Sequence, residues 1–112
     1  MSTAPDQAIV VFMTASSREE AERLADMLVD KSLAACVQIM PEMQSIYRWQ
    51  GKVELQREFL LIAKTLSSRF GEIESEVVKL HSYETPEIVA LPLVAGSRPY
   101  LEWLSACVNE KD

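Results

Sequence analysis

The sequence predicts a single α+β domain in the order β-α-β-β-α-β, with a long central hairpin and a short C-terminal helix. Two observations support this: strand-like apolar segments alternate with two segments of helical spacing, and a tight-turn dipeptide joins the two longest strand-like segments. The 112 residues fit one domain, and an apolar content of 48% is enough for a core without disulfides or structural metal. We therefore expect one domain over residues 1–112, with Met1–Gln7 flexible.

The first strand and helix are indicated by the segment that follows this polar start. Residues 9–13 form a continuous apolar run, which is typical of a buried central strand. Ser16 and Ser17 each precede a glutamate by three residues, the capping-box pattern at the start of a helix. The helix should run from about Ser17 to Lys31, because one face then carries Ala21, Leu24, Ala25 and Leu28.

A long hairpin is predicted next, because the strand-like segments Leu33–Trp49 and Val53–Thr65 flank the turn dipeptide Gln50-Gly51. Arms of about fourteen residues would extend about 45 Å, beyond the diameter of about 35 Å expected for a domain of this size. The hairpin should therefore project from its own domain. Pro41 predicts a bend or a shorter first arm. Another subunit is the simplest cover for the outer apolar residues Ile46, Tyr47 and Trp49.

The second half repeats the pattern of helix and strand. Ser67 is expected to cap a helix that ends near His81, since Phe70, Ile73, Val77 and Leu80 recur at helical spacing. Residues 88–94 are strand-like, and Pro92 within them indicates an edge position. A C-terminal amphipathic helix carries Tyr100, Trp103, Leu104 and Cys107 on one face. This order is that of the ferredoxin-like, split βαβ fold, which hosts many unrelated functions.

Composition narrows the classes of partner. Eleven Lys and Arg against 17 Asp and Glu give a net charge of −6, and an acidic chain without a basic stripe argues against nucleic acid or an anionic membrane. We expect no membrane span and no secretory signal. Cys36 and Cys107 form no paired motif, so we expect buried thiols in a reducing cytoplasm. No nucleophile elbow, phosphate loop or zinc spacing occurs, and no catalytic residue is predicted; we expect no enzyme.

Five blocks follow one another along the chain: KSLAACV at 31–37, SIYRWQGKV at 45–53, EFLLIAKT at 58–65, HSYETPEI at 81–88 and YLEWL at 100–104. These blocks resemble the CutA family of divalent-cation tolerance proteins, over about Ile9 to Leu104. The resemblance implies a ferredoxin-like subunit in a tight homotrimer, packed much as in PII-type signalling proteins. It also implies a link to copper or other divalent ions.

The candidate metal site is centred on the only histidine, His81. With Glu84 and Glu87 close in sequence, it could form a His–carboxylate metal site or a proton relay; alternatively, the imidazole only complements the helix dipole. The resemblance implies a cysteine late in the first strand and a second histidine in some bacterial members, where this chain has Met13 and Leu80. No cofactor is certain, and copper or another divalent cation is the candidate.

Four aromatic residues are predicted at subunit contacts: Tyr47, Trp49, Tyr83 and Trp103. Ordinary core packing is the alternative, although a residue beside the hairpin turn has little of its own subunit to contact. The function favoured at this point is a cytosolic homotrimer associated with divalent metal (copper) tolerance, which binds metal weakly. The alternatives are a PII-like signalling module with a small ligand or partner in its intersubunit clefts, and a structural trimeric scaffold.

Overall fold

The computed structural model describes residues 6–109. Its elements are β1 Ala8–Ala15, α1 Arg18–Asp30, β2 Cys36–Ile39, β3 Met43–Trp49, β4 Lys52–Leu66, α2 Phe70–Leu80, β5 Ile88–Pro92 and α3 Arg98–Asn109, with a 3-10 turn at Ser67–Arg69. The predicted α+β class and element order are confirmed. In this described part, no helix combines the length and apolar character that a membrane crossing would require.

Strand β4 lies at the centre of an antiparallel five-stranded sheet. It pairs with β1, β2 and β3, and β1 also pairs with β5. The pairing of β1 with β4 runs from Ala8 opposite Leu66 to Ala15 opposite Phe59. The resulting order, β2-β4-β1-β5, is that of the split βαβ fold.

The two faces of this sheet are covered unequally. Helices α1 and α2 pack on one face and enclose the main core, which includes Val11, Met13, Leu24, Leu28, Leu61, Ile73 and Val77. On the other face, α3 covers only one end, through contacts of Leu104 and Val108 with Leu66. The rest of this second face, the open sheet face, carries Val10, Phe12, Leu60, Ile62, Val89 and Leu91. Val89 and Leu91 remain 50% and 54% exposed.

The central hairpin projects as predicted, and the longest dimension of the molecule is 45 Å. Gln50 and Gly51 both have positive φ, 50° and 81°, which is the geometry of a type I′ turn. The first arm is not one strand but two, because Met40–Glu42 stand opposite only Phe59 and Leu60. Pro41 lies within this bulge, where a residue without an amide hydrogen is tolerated.

The start of α2 differs from the prediction. Ser67 is not its cap: a 3-10 turn precedes the helix, whose N-cap residue Arg69 makes no side-chain capping bond. The Asp6 carboxylate instead accepts hydrogen bonds from Ser67 Oγ at 2.9 Å and the Ser68 N–H at 3.0 Å. The predicted flexible start lies outside the described residues except for Asp6 and Gln7, and the Gln7 carbonyl accepts a 2.7 Å bond from the Ser67 N–H.

Candidate ligand pocket

A pocket of about 430 Å³ lies on the side of the open sheet face, between the hairpin, the end of β1 and the segment that joins α2 to β5. Its lining combines aromatic rings with carboxylates and two threonines: Thr14, Tyr47, Trp49, Glu58, Tyr83, Glu84, Thr85 and Glu87. Three of its eight residues are glutamates, so the pocket is strongly acidic.

Glu58 is the buried carboxylate of this pocket, with only 5% of the residue exposed. Its Oε2 accepts a 2.9 Å hydrogen bond from the Tyr83 hydroxyl. Burial, and next the hydrogen bond to Glu58, raise the pKa of Tyr83 above its ordinary value, so this hydroxyl keeps its proton and remains a donor. The Glu58–Tyr83 bond therefore fixes one edge of the carboxylate and leaves Oε1 for other partners.

The hairpin register places the aromatic residues beside this carboxylate. Directly opposed residues in an antiparallel pair share a face; Glu58 is opposite Met43, and Trp49 is opposite Lys52. Side chains alternate along a strand, so Met43, Tyr47 and Trp49 lie on the same face as Glu58. Tyr47 and Trp49 remain 37% and 48% exposed, which leaves their rings accessible along the pocket wall.

His81 lies behind the pocket rather than in its wall. Its side chain is fully buried; Nε2 donates to the Thr14 carbonyl at 2.7 Å, and Nδ1 accepts from the Tyr83 N–H at 2.9 Å. Both ring nitrogens are therefore occupied, and the neutral tautomer with the proton on Nε2 satisfies both bonds. In this arrangement His81 positions Tyr83 and has no lone pair available to a metal ion.

Glu20, at the start of α1, also binds the segment that joins α2 to β5. Its carboxylate accepts hydrogen bonds from the Ser16 N–H at 2.9 Å and the Ser82 N–H at 2.7 Å, and Oε2 lies 3.7 Å from His81 Nδ1. Burial alone would raise the pKa of Glu20, but the hydrogen bonds from Ser16 and Ser82 outweigh it and lower the pKa to about 2. Ser17 Oγ accepts from the Glu20 N–H at 3.1 Å, which confirms the predicted capping of α1.

The three predicted metal ligands therefore lie in different environments. Glu84 and Glu87 line the pocket and are exposed, whereas His81 is buried and doubly hydrogen-bonded. Among residues 6–109, no three His, Cys, Asp or Glu side chains are grouped so that they could hold a metal ion. The metal role of His81, Glu84 and Glu87 stays a prediction, and the fold does not assemble them into a ligand set within one subunit.

The four predicted contact aromatics fall into two places. Tyr47, Trp49 and Tyr83 line the pocket together. Trp103 lies on α3, with its ring centroid 5.5 Å from that of Tyr100, and is 45% exposed. Their role in subunit contacts stays a prediction.

Sequence reasoning did not identify Glu58 or Glu20 as site residues. Glu20 belongs to the capping pattern, which indicated a helix start but not a link to the segment after α2. In the β4 sequence, Glu58 lies between the more polar first half and the apolar run that follows. A carboxylate at such a boundary indicates a candidate site residue.

Known proteins resemble this chain over most of its length. Residues 9–107 match the family described as CutA1 divalent ion tolerance protein. The divalent-cation tolerance protein CutA of Thermus thermophilus is 50% identical over 95 residues, which cover 85% of this chain and 92% of that protein. A CutA protein of Arabidopsis thaliana, named chloroplastic, is 46% identical over 96 residues, 86% of this chain but 53% of that longer protein.

A solved structure shows the same fold. The divalent cation tolerance protein CutA of Archaeoglobus fulgidus, described as periplasmic, superposes with a TM-score of 0.89. It is 43% identical in sequence, and the match covers 91% of this chain and 99% of that one. The similarity therefore extends to the whole domain.

Proposed function

Because this chain belongs to the CutA1 divalent ion tolerance family, a role in divalent metal tolerance follows, and we propose that it acts as a cytosolic homotrimer linked to copper. The family resemblance implies an assembly of three copies. No catalytic step is part of this proposal.

The observation that supports assembly is the open sheet face. Its apolar residues continue across β5, β1 and β4, and Val89 and Leu91 stay half exposed because α3 reaches only one end of the sheet. A contiguous apolar surface of this kind is typical of an interaction site. The projecting hairpin adds Tyr47 and Trp49 on the same side of the sheet, where another copy would cover them.

Metal contact, within this proposal, involves exposed carboxylates rather than the imidazole. His81 already uses both nitrogens, so a metal ion would have to break a buried hydrogen bond to reach it. Glu84 and Glu87 offer exposed oxygen ligands, which suit hard divalent cations better than Cu(I). Two carboxylates without a third protein ligand support weak binding, which fits a tolerance role better than a tightly bound cofactor.

Calorimetric titration of the assembled protein with Cu²⁺ and Zn²⁺ tests the binding half of this proposal. We expect weak saturable binding that the double substitution Glu84→Gln with Glu87→Gln removes. The matched control changes two exposed helix glutamates, Glu74→Gln and Glu102→Gln, and should bind as the unmodified protein does. Equal heats for the two double variants would leave the pocket carboxylates without a metal role.

The tolerance half needs a cellular readout. Cells that lack this protein should grow less well in copper, and the unmodified chain should restore growth. Failure of the unmodified chain to restore growth would contradict the proposal. Fractionation of the cells that carry the restored chain tests the cytosolic location. The support for this location is that Cys36 and Cys107 are both free thiols.

The pocket supports a second candidate function, that of a PII-like module which responds to a small ligand. The supporting observation is the combination of aromatic rings with the buried Glu58 carboxylate, a feature that a purely structural scaffold does not need. A partner protein recovered in fixed stoichiometry, with or without metal, would favour the scaffold instead.

A further inference from the structure

We infer that the pocket binds an organic cation, with an ammonium or guanidinium group against Glu58 and an aliphatic part along the aromatic wall. This goes beyond metal tolerance and does not depend on metal binding. The pocket is acidic, because Glu58, Glu84 and Glu87 face it together. Within residues 6–109, none of these glutamates forms an ion pair with a Lys, Arg or His side chain.

One of these carboxylates, that of Glu58, is buried. Glu58 is 5% exposed, and its Oε2 is held by Tyr83. Its Oε1 has no hydrogen-bond partner among the described residues. This oxygen still has accessible surface, because in that part of the chain the only inaccessible side-chain N or O atom without a partner is Arg69 Nε. A largely buried carboxylate with one edge open to a pocket favours a positively charged donor there, since a charge removed from water is costly unless it is paired.

The aromatic wall determines which kind of cation fits. Tyr47, Trp49 and Tyr83 present rings to the same pocket. Ring faces attract ammonium and guanidinium groups, and they also contact aliphatic stems that a hydrated metal ion does not have. A guanidinium group offers planar paired donors that match a carboxylate edge. The cation is thus an alkylammonium or alkylguanidinium, either free in solution or as a Lys or Arg side chain of an adjoining copy.

The test uses the full assembled chain, labelled with ¹⁵N, and titrates it with butylguanidinium and with its neutral isostere butylurea. We expect saturable shifts of the Tyr83 and Thr85 backbone signals with butylguanidinium and none with butylurea. Glu58→Gln should weaken this binding at least about tenfold, because a charge-assisted hydrogen bond is lost. Glu22→Gln, on the exposed side of α1, removes the same charge outside the pocket and should bind normally.

A second arm distinguishes the two sources of the cation. If the group belongs to an adjoining copy, neither probe binds, and Glu58→Gln dissociates at higher protein concentration than Glu22→Gln in sedimentation. Either pattern supports a cation at Glu58. Absence of probe binding, together with identical sedimentation of the two variants, would overturn the inference, whatever the outcome of the copper and zinc titrations.

Discussion

Glu20 and Ser82 lie 62 residues apart in the chain, yet the Glu20 carboxylate accepts a 2.7 Å hydrogen bond from the Ser82 N–H. The same carboxylate accepts from the Ser16 N–H, so one buried side chain joins the start of α1 to the segment that follows α2. That segment continues into Tyr83, Glu84 and Thr85 in the pocket wall. Glu20 is therefore a positioning residue for the pocket.

Replacing this carboxylate should destabilise the protein. In Glu20→Gln, the amide NH₂ would face one of two backbone donors, so at least one hydrogen bond is lost in a buried place. We expect a loss of at least about 2 kcal/mol of unfolding free energy at pH 7. Denaturant unfolding at one fixed protomer concentration measures it, because stability in an oligomer depends on concentration. Glu22→Gln is the control and should stay within about 0.5 kcal/mol of the unmodified protein.

Glu20 also predicts the direction of the pH dependence. Its pKa is about 2 in the folded protein, against 4.5 as the ordinary value. A carboxyl group whose pKa is lowered by folding stabilises the folded state at pH values above its pKa in the unfolded chain. This contribution, about 3 kcal/mol at most, is lost as the pH falls from about 4.5 to about 2. Unfolding free energy measured across this range should fall less steeply for Glu20→Gln than for the unmodified chain; parallel slopes would count against this role.

The C-terminus of α1 predicts a stabilising substitution. Ser32 has φ of 57°, and the Leu33 N–H bonds to the Leu28 carbonyl while the Ser32 N–H bonds to that of Val29, which is a Schellman motif. Glycine adopts this φ without steric cost, so Ser32→Gly should raise the unfolding free energy by about 0.5–1 kcal/mol.

Ser75→Gly provides the matched comparison for this substitution. Ser75 is an exposed residue inside α2, where glycine lowers helix stability by up to about 1 kcal/mol. The two serine-to-glycine changes should therefore shift the denaturation midpoint in opposite directions. A shift of the same sign would show that the φ of Ser32 does not control the effect.

The open sheet face predicts how assembly can be disrupted. Leu91 is 54% exposed on that face, so Leu91→Lys costs an isolated subunit little but would place a charge inside a contact between copies. We expect this variant to sediment as smaller species at low micromolar concentration. Val94→Lys is the control, since Val94 is 92% exposed and lies just beyond the end of β5. An unchanged assembly in Leu91→Lys would exclude this face from the contact.

The hairpin tip supplies an independent test of the predicted contact residues. Trp49→Ala removes a large apolar side chain that is 48% exposed in the subunit, and we expect weaker assembly as a result. Dissociation should begin at a higher protein concentration than for the unmodified chain. A variant that stays fully assembled on dilution to low micromolar concentration would assign Trp49 to the pocket alone.

Most of the fold could be predicted from the sequence because it depends on local patterns. The apolar run of β1, the capping serine of α1 and the Gln50-Gly51 turn are each encoded within a few residues. At Pro41 the sequence predicts a bend or a shorter first arm but not two separate strands, because the register on either side of the bulge depends on pairing with β4. Ser67 does not cap α2, because its hydroxyl donates instead to the carboxylate of Asp6, 61 residues away.

The pocket was less predictable for the same physical reason. Glu58, Tyr83 and Tyr47 come from three separate segments, and their meeting depends on sheet register and on the packing of buried groups. His81 was singled out because it is the only histidine, but its hydrogen bonds to Thr14 and Tyr83 are tertiary contacts that spacing does not reveal. A single sequence indicates residue types for a site more readily than it indicates which of their atoms are free.

Native mass spectrometry of protein purified without added metal, and again after addition of Cu²⁺ or Zn²⁺, tests both the trimer and its weak metal binding. We expect a mass of three 12.6 kDa chains before metal is added, and weakly held, partial metal adducts on that trimer afterwards. A monomer at micromolar concentration, in both conditions, would contradict this expectation.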